Sequence, residues 1–102
     1  MGATNFYCKH KGSTAAEAFS EAVREAKWEN GHAGYTGTIA EKTRFSMASD
    51  KPLSIKDAND LANSLINTKY NDKWGPAGCI SLISNSKEET LNTYLFFGWA
   101  SS

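Results

Sequence analysis

The chain has 102 residues, 11 bases against 11 acids, 40% apolar residues and a 12% aromatic share. That length is one domain able to bury a single core, and no apolar run approaches a membrane span. Residues 1–44 carry six bases and five acids, and the remainder five and six. Neither half is a basic block, which argues against general duplex-DNA binding by phosphate neutralisation. Two cysteines, Cys8 and Cys79, and two histidines, His10 and His32, make neither a disulfide framework nor a zinc pattern, so reduced structural thiols are expected and no metal or cofactor. The start of the chain lacks signal-peptide and myristoylation patterns, and a cytoplasmic protein is the expectation.

In chain order, Asn5 to Lys11 reads as a strand closed by Gly12. Thr14-Ala15-Ala16-Glu17 fits a capping box opening a helix that runs to about Glu29. Ala15, Phe19, Ala22, Val23 and Ala26 recur at helical spacing and form its buried face, with Glu21 and Glu25 outside and Glu17, Arg24 and Lys27 near them. Asn30-Gly31 supplies the stop. Tyr35 to Met47 reads as one long strand. One parity carries Tyr35, Gly37, Ile39, Glu41, Thr43, Phe45 and Met47 and is the core face apart from Glu41 and Thr43; the outer parity is Thr36, Thr38, Ala40, Lys42, Arg44 and Ser46.

After the turn Ser49-Asp50-Lys51-Pro52, a second helix starts at Ser54 with the stripe Ala58, Leu61, Ala62, Leu65 and Ile66. Asn71 to Pro76 is a loop. Cys79 to Ile83 and Thr93 to Trp99 are strands joined by a hairpin loop at 85–90. In the run TYLFFGW both parities are apolar, so that strand is central, or one of its faces meets another subunit in a homo-oligomer. The order β-α-β-α-β-β predicts a two-layer α+β domain, with two helices on one face of a four-stranded, mainly antiparallel sheet.

The glycine-rich run GHAGYTGTIAEK, residues 31–42, follows a helix and precedes a strand. A phosphate cradle wants amides converging at a helix N-terminus, so backbone geometry is the better reading of Gly31, Gly34 and Gly37. The outer sheet face is more suggestive. Tyr7, Lys9 and Lys11 share one parity of the first strand. If that strand pairs with the second, they join Thr36, Thr38, Lys42 and Arg44 on one surface of cations, hydroxyls and an aromatic ring, with Gly34 and Tyr35 at its edge. Such a surface suits a small anionic nucleotide: Arg and Lys for phosphate, Tyr for stacking. The alternative is an ordinary solvated face. Glu41 on the core parity, with His32, is the sole acid–base pairing worth weighing, and no nucleophile motif supports it. No catalytic residue is therefore assigned. Trp74, in a Gly-Pro loop, reads either as a partner anchor or as a cover over the core.

The same glycine run, preceded by AFSEAVREAKWENG, resembles a segment of small uncharacterised proteins encoded by bacteriophages and archaeal viruses. In these an A-x-x-A-x-x-x-A helix leads into G-Y-T/S-G-T-I-A-x-K. The resemblance spans roughly residues 5–45 and implies a viral accessory protein acting in the cytoplasm of an infected bacterium, of the counter-defence kind. Three readings follow: a sponge that sequesters a nucleotide immune signal uncleaved, a protein-binding inhibitor of a host nuclease or CRISPR effector docking by Glu17, Glu21 and Glu25 or by Trp74, and a small enzyme using Glu41 and His32.

Overall fold

A computed structural model describes residues 2–30, 37–83 and 92–101. The elements are β1 (Ala3–Gly12), α1 (Ala15–Asn30), one 3-10 turn (Ile39–Glu41), β2 (Phe45–Met47), α2 (Ile55–Ile66), β3 (Ala77–Leu82) and β4 (Asn92–Ser101). The expected α+β class and the four-stranded, mainly antiparallel sheet are present. The helix starts follow their caps. Thr14 Oγ1 accepts from Glu17 N at 3.1 Å and Ser54 Oγ from Asp57 N at 3.2 Å, each satisfying a first-turn amide. The expected capping box is only half formed, because the Glu17 carboxylate takes the Ser13 hydroxyl instead. The hairpin loop expected at 85–90 lies outside the described residues.

The sheet order is β1-β4-β3-β2. β4 lies antiparallel to both β1 and β3, and β2 pairs parallel with β3. β1, β2 and β3 therefore share one direction. The chain steps from β1 to the far edge through α1 and returns to β3 through α2. Crossovers of one hand that step in opposite directions put their helices on opposite faces.

The core divides accordingly. Phe6, Ala18, Phe19, Ala22, Cys79, Tyr94 and Phe96 pack together under α1. Ala58, Ala62, Ile66, Tyr70, Ile80, Leu95 and Phe97 pack under α2. This corrects the expected two-layer arrangement: the helices flank the sheet in three layers. It also answers the question posed by TYLFFGW. Both faces of β4 are covered by helices of its own chain, so its apolar parities give no reason to invoke a second subunit.

The long strand expected from Tyr35 to Met47 is shortened to three residues. Gly37 takes a left-handed φ of 71° that an L side chain adopts only with strain. Thr38 then caps the 3-10 turn, its hydroxyl accepting from Ala40 N at 3.2 Å, and Ile39 and Ala40 are both buried although adjacent. Period-two alternation does not apply across a turn. Residues 31–36 lie outside the described residues.

β3 and β4 meet closely at Gly78, where an added Cβ would lie 2.4 Å from Cζ of Phe97. We expect Gly78→Ala to destabilise the fold by about 1–3 kcal/mol through overpacking. The check is the urea midpoint, which should fall. An unchanged midpoint would contradict the contact.

Candidate functional site

The expected sheet-surface site is not assembled. Tyr7, Lys9 and Lys11 lie on β1, at one edge. Lys42 and Arg44 precede β2, at the other edge, with β4 and β3 between. Tyr7 is 43% exposed, but its hydroxyl donates to Asn63 Oδ1 on α2 at 2.8 Å, so the ring is tied down beside that helix. Lys9 is exposed beside Ser54, Ile55 and Ile83. Thr38 serves the turn. Arg44 is exposed, and its carbonyl accepts from Ala77 N at 3.1 Å. Gly34, Tyr35, Thr36 and His32 lie outside the described residues. Glu41 belongs to the 3-10 turn and is half-buried, in place of the expected core face of a strand. Among the described residues no cluster of three or more His, Cys, Asp or Glu could hold a metal.

Lys42 departs furthest from expectation. It is 4% exposed. Its Nζ donates to the carbonyl oxygens of Gly75 at 2.8 Å, Lys73 at 3.1 Å and Asp72 at 3.4 Å. Three ammonium protons thus meet three acceptors of one loop, which is what a buried lysine needs. Burial pushes its pKa below the ordinary lysine value. Asp72 opposes that shift and Arg44 reinforces it. The loop adds its own ties, Gly75 N to Asp72 O at 3.0 Å and Trp74 N to Asp72 Oδ1 at 2.9 Å. The result is a stiffened loop that leaves Trp74 65% exposed, with Lys73 Nζ 5.3 Å from its ring centroid.

Beside this loop lies an open cleft of about 570 Å³ walled by Trp74, Trp99, Asn67, Asn71, Asp72 and Lys73. Trp99 is fixed there, because its Nε1 donates to the Ile66 carbonyl at 2.9 Å. Sequence reading found Trp74 but missed Trp99 and the lysine clamp. No local signal marks a lysine whose partners sit thirty residues away.

A second exposed surface runs along α1. Glu17, Glu21, Glu25 and Glu29 recur every four residues, about 6 Å of rise per step. Glu21 pairs with Arg24, and Glu25 Oε2 lies 2.9 Å from His10 Nε2 on β1. Trp28 stands among them, 87% exposed, in a depression shared with Glu21, Arg24 and Glu25.

Both thiols are free, Cys79 buried and Cys8 half-buried. Cys79 is fully buried and its pKa is pushed up to about 12 by burial. Burial, Glu25 and Glu29 all raise that of Cys8. No protein family, curated protein or solved structure matches this chain.

Two outcomes follow. At neutral pH a disulfide reagent should modify Cys79 only after unfolding and Cys8 more slowly than a free thiol. Rapid labelling of both in the native protein would contradict their burial. Lys42→Met should cost about 1–3 kcal/mol, since it orphans the loop carbonyls. The sign with pH is also set. A folded pKa below the unfolded one means the unfolded chain binds more protons between the two values, so stability rises with pH across that window. The wild type should therefore gain on Lys42→Met as pH climbs toward 10.5, the ordinary lysine value. Urea titrations of both proteins at several pH values measure the gap.

Proposed function

We propose that this protein is a non-catalytic inhibitor that docks the outer face of α1 on the basic, nucleic-acid-binding surface of a host defence protein. A nuclease or CRISPR effector has such a surface. The observation that carries the reading is Trp28, 87% exposed among the carboxylates of α1. An exposed tryptophan on a rigid helix loses little conformational freedom on binding, and tryptophan leads the residues that dominate interface energies. The row of carboxylates supplies the complementary charge, because proteins that grip nucleic acid present lysines and arginines along their grooves. The viral provenance implied by the GYTGTIAEK-type segment supplies the setting, the cytoplasm of an infected bacterium.

A sponge needs Lys9, Lys11, Lys42 and Arg44 on one surface. β1 and β2 lie at opposite edges and Lys42 is buried, so nucleotide sequestration would need another site.

The test is binding and inhibition of purified host nucleases and CRISPR effectors. We expect a complex that competes with the target's nucleic acid and weakens as salt is raised. Trp28→Ala should weaken it by about tenfold or more, and Glu21→Lys should weaken it as well. A complex that ignores both substitutions and salt would overturn the proposal.

A further inference from the structure

We propose that the cleft between Trp74 and Trp99 binds a mononucleotide. This goes beyond the docking role of α1 and shares no residue with it. At about 570 Å³ the cleft falls within the roughly 300–1,000 Å³ of small-ligand sites.

Its chemistry selects the ligand. Two indoles on one cleft suit a flat ring, and every nucleobase has a face to stack. The side-chain amides of Asn67 and Asn71 offer donors and acceptors together, matching the mixed edge of a base. One carboxylate oxygen of Asp72 already accepts from Trp74 N. The other is an acceptor for a ribose hydroxyl. Lys73 covers one face of the Trp74 ring, its ammonium 5.3 Å from the centroid; a base stacking there would displace that cation toward its own phosphate.

The cleft is also held ready before any ligand arrives. Lys42 clamps the Trp74 loop through three carbonyls, and Trp99 is pinned to the end of α2. Preorganisation of this kind lowers the ordering cost of binding.

Calorimetric titration of the full chain with AMP, GMP, CMP and UMP tests this, with ribose 5-phosphate and glucose as comparison ligands. The nucleotides should bind in the micromolar-to-millimolar range and ribose 5-phosphate about tenfold more weakly, with Trp74→Ala losing about tenfold or more. In the wild type, the indole N–H resonances of Trp74 and Trp99 should move on titration while that of Trp28 stays, a readout independent of how the variant folds. Absence of binding by every nucleotide would overturn the proposal. So would equal affinity for ribose 5-phosphate or glucose, or movement of the Trp28 resonance in place of the other two.

Discussion

The fold turns on the back-to-back burial of Phe96 and Phe97. Successive residues of a strand point to opposite faces, and both of these are 0% exposed. β4 must then lie inside the sheet with a cover on each side. Phe96 meets Phe19 of α1 at 5.7 Å between ring centroids, and Phe97 meets Tyr70, just beyond α2, at 5.0 Å and nearly edge-on. Seating the last strand between β1 and β3 sends β2 to the far edge. The separation of Lys9 and Lys11 from Arg44 is thus a consequence of how two phenylalanines are buried.

A second consequence concerns the loop between α2 and β3. It lies where the chain turns into the buried strand β3, and its carbonyls point inward at Lys42. A lysine in such a place loses hydration, and only a full set of acceptors offsets the loss. By binding three carbonyls of one loop, Lys42 converts a connection into a fixed platform. A surface tryptophan on a mobile loop would lose entropy on engaging anything, whereas Trp74 on this one is already placed. Trp28 achieves the same on α1, whose regular backbone holds it outward. The molecule so presents two large aromatic rings on rigid supports at separate places, one among carboxylates and one beside amides and a lysine.

Much of this was legible in the residues. Thr14 and Ser54 announce the helix starts, the alanine-rich stripes announce their buried faces, and the doubled apolar parity of TYLFFGW calls for a cover on both faces of β4, from this chain or from a second subunit. The failures have physical causes. Ile39, Phe45 and Met47 fit a strand's alternation, Glu41 and Thr43 break it, and the left-handed backbone at Gly37 and the Thr38 cap decide for a turn. Lys42 looked like a surface cation because its carbonyl partners are distant in sequence and belong to backbone, which carries no residue-type signal. A single sequence does not show strand order, so the residues alone leave both helices on one face. Once β4 is seen between β1 and β3, the reversal of crossover direction dictates two faces.

The central claim is that α1 and α2 cover opposite faces of β4. Aromatic-proton cross-relaxation in the folded protein measures it directly. The ring of Phe96 should give contacts to Phe19 and none to Tyr70, and the ring of Phe97 should give contacts to Tyr70 and none to Phe19. Contacts from both rings to α1 would put the two helices on one face and contradict the account.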